Sequence, residues 1–259
     1  MERTEALTSP ANPLLKDIRR AVARGGLTGD GYMVAEGPHL LEEALRSDVE
    51  IRVILAADSA QERFRRPAGA RMVVVDDSVF GQLADTEATQ GVIALVKPPV
   101  WTLEQALEGP TLAVVLDGVQ DPGNAGAIVR AAEAFGATGV LFSRGTVSPF
   151  NPKTLRASAG SLFRLPFVQG IDPATARVAL DARRCAVYAA VVRNGKPAGE
   201  ADLSRDCALV IGSEAHGVSE AWTRGAASVS IPTAGVESLN AAVAAGILLY
   251  EARRQRSAT

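Results

Sequence analysis

The sequence predicts a two-part α/β protein, and three observations carry that expectation. Short apolar runs rich in β-branched residues alternate with stretches of helical periodicity along most of the 259 residues. A proline-rich stretch, KPPVWTLEQALEGP, interrupts the alternation near the middle, and Pro98 and Pro99 suit neither a central strand nor a helix interior. Beyond it the strand-like runs are continuously apolar, as strands covered on both faces must be. The expected division is therefore residues 1–98 as a smaller α/β domain, 99–110 as linker, and 111–259 as an α/β domain on a parallel sheet.

In the first part, Leu14, Leu15, Ile18 and Val22 give a helix over Asn12 to Ala23, and EGPHLLEEALRS gives a second, amphipathic one. Ile51–Ala57 and Arg71–Val75 read as strands, followed by a helix near Val79 to Ala84 and a strand from Gly91 to Val96. In the second part the expected order begins with strand Thr111–Asp117, a helix near Asn124 to Phe135, and strand Gly139–Phe142. Helices near Pro152 to Ala159 and Pro173 to Arg184 follow, then strands Ala186–Val192 and Cys207–Gly212. A short strand, SVSIP, and a long helix from about Glu237 to Gln255 complete the pattern.

Composition excludes several classes. A hydrophobic share of 47% and a charged share of 22% are those of an ordinary globular protein. No apolar run approaches the ~20 residues of a membrane span, and MERTEALTSPANP lacks the apolar core of a signal peptide. Two cysteines, Cys185 and Cys207, and two histidines, His39 and His216, do not make a zinc module or a disulfide scaffold. A reduced, cytoplasmic protein without metal is expected. The net charge of −2 does not itself point to nucleic acid. From Ala134 to Ile171, however, there is no Asp or Glu, while Arg144, Lys153, Arg156 and Arg164 are present. That stretch is either a solvated loop region or a phosphate-tracking patch.

Three segments carry the chemistry. In Leu116 to Ser143 a glycine-rich turn joins a strand to a helix, where a nucleotide loop belongs. Its spacing is neither GxGxxG nor GK[ST], and a tight turn with Asn124 capping the helix explains it equally well. Arg130 lies in a small, apolar run, where a guanidinium needs a partner such as an anion. In Ala208 to Glu220 an apolar strand runs into Gly212, Ser213 and Glu214, and Gly217 releases the chain. Ligands gather at such strand ends in parallel sheets, and His216 reads as a surface loop residue. In Ser228 to Gln255, Ser238 and Asn240 open a helix rich in Ala and Gly, whose small residues permit close approach.

Taken together, these segments resemble the SpoU (TrmH-like) branch of the SPOUT RNA methyltransferases. The first matches the family's NxGxxxR at Asn124, Gly126 and Arg130; the second matches an apolar strand ending in GSE and a glycine at Gly212, Glu214 and Gly217. The third matches IP, a glycine turn and SLN at Ile231–Pro232, Gly235 and Ser238–Asn240. The N-terminal half, with NPLLK and AEGPHLLEEAL, is similar to the L30e-like substrate-binding domain that precedes many such catalytic domains. One departure is Ala242, where many members have Ser or Thr.

The resemblance implies a SPOUT fold with a deep trefoil knot in the second domain, an exception to the usual absence of threaded chains. It implies S-adenosylmethionine as cofactor, held near Gly212, Ile231 and Leu239. Catalytic roles fall on Arg130, Asn124, Glu214, Ser238 and Asn240, with Arg130 holding an RNA phosphate beside the reacting ribose 2'-hydroxyl. Expected partners are RNA, bound in part by Arg144, Lys153, Arg156 and Arg164, and a second copy in a homodimer. The fused N-terminal domain favours ribosomal RNA of the large subunit over transfer RNA. A knotted RNA-binding protein without activity and a nucleotide-dependent dehydrogenase remain as alternatives; methyl-transfer and cofactor-binding measurements separate them.

Overall fold

The computed structural model describes residues 5–65, 67–86 and 88–258. Residues 1–4, part of the opening stretch read as lacking a signal peptide, lie outside the described residues. The chain forms two compact units: residues 1–100 with 148–164, and 101–147 with 165–259. No helix among the described residues is long and apolar enough to cross a membrane.

The first unit contains β1 (Glu5–Leu7), α1 (Pro13–Arg24), β2 (Met33–Glu36), α2 (Pro38–Arg46), β3 (Ile51–Ala57), β4 (Arg71–Val75), α3 (Asp77–Gly81) and β5 (Val92–Val96). Its five strands run in the order β1-β4-β3-β5-β2. β1, β4 and β3 are parallel, whereas β5 lies antiparallel between β3 and β2. Asn12 caps α1 through its side chain, which accepts from the Leu14 N–H, and Pro13 pre-sets the first turn. Leu15, Ile18 and Ala21 bury the inner face of α1 against Val34, Leu55 and Val73. The apolar spacing from Leu14 to Val22 thus marked this helix correctly.

The second unit opens with α4 (Leu103–Ala106), whose Thr102 and Gln105 form a reciprocal capping box inside the proline-rich linker. It continues with β6 (Leu112–Asp117), α5 (Pro122–Ala134) and β7 (Gly139–Ser143). α6 (Pro152–Ser158) belongs to the first unit, after which β8 (Phe167–Ile171), α7 (Pro173–Ala182), β9 (Ala186–Ala190) and β10 (Lys196–Pro197) follow. β11 (Cys207–Gly212), α8 (Glu220–Thr223), β12 (Ala227–Ser230) and α9 (Ala241–Ser257) complete the second unit. The seven strands, in the order β10-β12-β9-β11-β6-β7-β8, are parallel throughout. Every residue of β6 is buried. Ala113 and Val115 pack toward Leu180 and Trp222, and alternation along the strand sends Val114 and Leu116 to the opposite face. The expected parallel sheet forms, and its strands are buried nearly end to end only at the centre, in β11, β6 and β7.

Some expectations shift. β1, β2, β8 and β10 were not anticipated, and Glu36, read as the start of a helix, ends β2. The final helix begins at Ala241, so Ser238 precedes it in a loop and Asn240 is its N-cap. Gly246 was expected to allow close approach, yet a Cβ there meets nothing within 4 Å.

Candidate active site

In a parallel sheet all strands deliver their carboxyl ends to one edge, and β6 is where the strand order reverses. β7 lies on one side of it and the much later β11 on the other. Crevices open at such reversals. The loops after β6 and β11, together with the loop leading into α9, meet there.

The loop after β6 turns at Gly118, whose φ is +68°, and reaches Asp121. Asp121 caps α5, accepting the Asn124 N–H at 2.7 Å. The capping role foreseen for Asn124 therefore belongs to Asp121, which leaves the Asn124 side chain free for other bonds. Asp117, at the end of β6 and buried, was not anticipated. Its carboxylate accepts the Ser219 N–H at 2.7 Å and the Ser143 hydroxyl at 3.2 Å. It thereby ties the end of β6 to β7 and to the chain leaving the β11 loop.

The β11 loop is a tight hairpin. The Ser213 and Gly217 backbones exchange hydrogen bonds of 2.8 and 3.2 Å, and the Ser213 hydroxyl accepts from the His216 N–H. A Cβ on Gly212 would stand 2.1 Å from the Gly217 carbonyl carbon, so no side chain fits there. The hairpin carries Glu214 and His216 on its exposed side, and the reading of His216 as a loop residue holds.

Asn240 organises the third segment. Its Oδ1 caps α9, accepting the N–H groups of Ala242 at 2.9 Å and Val243 at 3.2 Å. That leaves its Nδ2 to donate to Asn124 Oδ1 at 2.9 Å and to Glu214 Oε1 at 3.2 Å. With its oxygen so engaged, Asn124 turns its own Nδ2 to Glu214 Oε1 at 2.5 Å. The cap thus decides every amide orientation in the triangle. Three of the five expected catalytic residues are joined in one hydrogen-bonded set.

Ser238 and Arg130 are not part of it. Ser238 lines the adjoining cleft. Arg130 is exposed on α5 and makes no hydrogen bond or ion pair among the described residues. Six residues beyond Asn124, it lies about 9 Å along the helix and roughly 240° around it. The expectation that an apolar setting forces a partner on this guanidinium is corrected by its exposure.

The cleft beside the triangle has a volume of about 340 Å³, within the range of small-molecule sites. It is lined by the ends of β9, β11 and β12 and by the loop into α9, including Gly212, Ile231 and Leu239, all three expected cofactor positions. A second cavity of about 410 Å³ lies on the other side of the hairpin, bordered by Gln120, Asp121, Asn124 and His216. Both cavities share Ser213, Glu214 and Gly217 as a wall. Glu214 Oε1 accepts both amides, while Oε2 has no hydrogen bond among the described residues.

The four basic residues expected to hold RNA separate into two kinds. Arg144 and Lys153 are exposed. Arg156 pairs with Glu36 at 3.2 Å and Asp85 at 2.5 Å, and Arg164 with Glu43 at 2.7 Å. The stretch without acids in sequence acquires them in space from elsewhere in the first unit. Arg156 and Arg164 thus carry ion pairs within the first unit, whereas among the described residues Arg144 and Lys153 do not.

Comparison with known proteins adds the following. The SpoU rRNA Methylase family profile matches residues 111–250, and the MRM3-like substrate binding domain profile matches residues 12–94. The chain is 33% identical to the 23S rRNA (guanosine(2553)-2'-O)-methyltransferase RlmP of Bacillus subtilis (strain 168), covering 95% of this chain and 98% of that protein. It is 36% identical to the 23S rRNA (uridine(2479)-2'-O)-methyltransferase of Streptomyces viridochromogenes, over 76% of this chain and 71% of that one. Among solved structures, the SpoU methyltransferase AviRb from Streptomyces viridochromogenes in complex with the cofactor AdoMet superposes with a TM-score of 0.83. The identity is 28%, with 95% of this chain and 98% of that one covered.

Proposed function

The chain belongs to the SpoU rRNA methylase family, and from that premise we propose that it methylates a ribose 2'-hydroxyl in large-subunit ribosomal RNA with S-adenosylmethionine. The carrying observation is the Asn124–Glu214–Asn240 triangle at the rim of a cleft bordered by Gly212, Ile231 and Leu239. The cleft fits the cofactor in size and lining: its volume of about 340 Å³ is that of a small-molecule site, and Gly212, Ile231 and Leu239 all border it. These three residues would hold the cofactor. When bound, it supplies a methyl group on a positively charged sulfur, open to in-line attack by oxygen.

The chain's own residues position the acceptor. Asn124 and Asn240 hold Glu214 by Oε1, and Oε2 is left to accept the hydrogen bond of the ribose hydroxyl. Glu214 Oε2 would take the proton that the attacking hydroxyl gives up and release it to solvent from this exposed position. Arg130, always protonated, serves as a clamp on an RNA phosphate rather than as a base. Ser238 steadies the loop over the cleft. Arg144 and Lys153 add phosphate contacts.

The remaining assignments are part of the same reading. Residues 1–98 bind RNA, 99–110 link, and 111–259 catalyse, with residues 148–164 packed in the first unit as the exception. The second domain carries a trefoil knot. The protein works in the cytoplasm as a homodimer. Val243, Ile247 and Tyr250, at i, i+4 and i+7 on α9, are large apolar side chains left exposed in the single chain, and a second copy covers them.

The test is tritiated methyl transfer to ribosomal RNA isolated from cells lacking the gene. Label in one nucleotide whose 3' bond resists alkali is expected. Label on a base, or none from the wild-type protein, would overturn the reading.

A further inference from the structure

We propose that α1 is an RNA-backbone grip, in which Lys16, Arg20 and Arg24 bind successive phosphates and Lys153 extends the line. The inference rests on the reading of the protein as an RNA methyltransferase and names the face of the first unit that meets the RNA.

α1 separates its two faces sharply. Leu15, Ile18 and Ala21 are buried, whereas Lys16, Arg20 and Arg24 are exposed at i, i+4 and i+8. At 1.5 Å of rise per residue, neighbouring cations stand about 6 Å apart along the axis and the outer two about 12 Å. Like charges at this spacing weaken a helix. Among the described residues none of the three makes an ion pair or side-chain hydrogen bond. Arg46, Arg71, Arg224 and Arg254, also exposed, each sit beside a carboxylate, whereas Arg130 and Arg144 share the unpaired state among the described residues but stand singly rather than in a row. The one acid of α1, Asp17, is turned away, both its oxygens accepting the Gly29 N–H at 3.0 and 2.8 Å.

A further exposed cation follows the segment that abuts the end of the helix. Gly25, at φ +61°, ends α1 against Asn151, whose Nδ2 lies 2.6 Å from where a Cβ on Gly25 would be. Asn151 caps α6 within the same unit, and Lys153 is exposed in its first turn.

Charge complementarity selects the occupant. A nucleic-acid strand presents anions in a row, and cations that neutralise them release counterions. A protein partner is anchored by aromatic or other large apolar side chains, and the outward face of α1 presents none between its cations; Ala23 is the apolar residue there.

The experiment uses the full chain and deproteinised large-subunit ribosomal RNA, with affinity measured across a potassium chloride series. The variant K16Q/R20Q/R24Q is expected to lower the slope of log Kd against log salt by about 2 to 3. Affinity for S-adenosylmethionine and the melting temperature should stay at wild-type values. The charge-keeping variant K16R/R20K/R24K should retain the wild-type slope. An unchanged slope in the glutamine variant overturns the proposal, as does an equal loss in both variants. A loss of affinity for poly-L-glutamate but not for RNA also overturns it, because the face then docks an acidic protein. None of these readouts depends on methyl transfer. An inactive wild-type protein would therefore count against the proposed reaction alone.

Discussion

Asn240 donates to Asn124 at 2.9 Å across a sequence separation of 116 residues, and the same side chain caps α9. One residue thus sets both where the last helix begins and which way the Asn124 amide faces Glu214.

The two duties can be pulled apart by substitution. Asn240→Asp keeps a capping oxygen but loses the donor to Asn124 and sets a second carboxylate against Glu214. Thermal melting should stay within a few degrees of wild type, while methyl transfer falls about 10²-fold. Asn240→Ala should also lose about 1 kcal/mol of stability, the usual value of an N-cap. A denaturant titration with parallel activity measurements checks both.

Gly212→Ala tests the hairpin. Its Cβ cannot be accommodated 2.1 Å from the Gly217 carbonyl carbon, so the Ser213–Gly217 hairpin must move. A stability loss on the order of 1–3 kcal/mol is expected, with cofactor binding weakened. Calorimetric titration with S-adenosylmethionine measures the second effect. Wild-type affinity would show that the hairpin's position does not matter to the cleft.

Arg156→Ala should destabilise the protein without changing RNA salt dependence. It leaves Glu36, only 5% exposed, with the Asp85 N–H and the Thr86 hydroxyl but no cation. Breaking so buried a pair costs on the order of 3 kcal/mol. Urea unfolding reads the loss, and filter binding at several salt concentrations reads the slope.

The cysteines should be silent in the native protein. Burial pushes the Cys185 thiol up to about 12 and also raises that of Cys207, so neither forms thiolate near neutral pH. An aromatic disulfide reagent at pH 8 should titrate no fast thiol before denaturation and two after it. A fast-reacting native thiol would contradict this burial.

Legibility in the sequence followed local pattern. Ile51–Ala57, Arg71–Val75 and Cys207–Gly212 were bounded correctly because each is a continuous apolar run with abrupt ends. β2 escaped because MVAE is four residues long and runs into Gly37 and Pro38, which read as a helix start. β8, at the sheet edge, carries exposed Gln169 and Gly170 and so lacks an apolar signature. In the site, Asn124, Glu214 and Asn240 were each visible, but their bonding was not. It depends on which strands become neighbours, and β6 pairs with β11 across a long intervening chain. The ion pairs of Arg156 and Arg164 were hidden for the same reason, since their acids lie 71 to 121 residues away. The basic spacing on α1 was legible; its lack of ion pairs was not.

The cleft beside the triangle draws its lining from residues between Ala190 and Leu248, and its rim is completed by the residue that starts α9. Chains emerge from the ribosome in order, and domains fold as units as they appear. The first 189 residues can therefore be synthesised before any part of the cleft exists. On the proposed assignments, a nascent chain carrying α1 would meet RNA while still unable to hold the methyl donor. Catalytic competence is in this sense a late event of synthesis, set by the docking of α9.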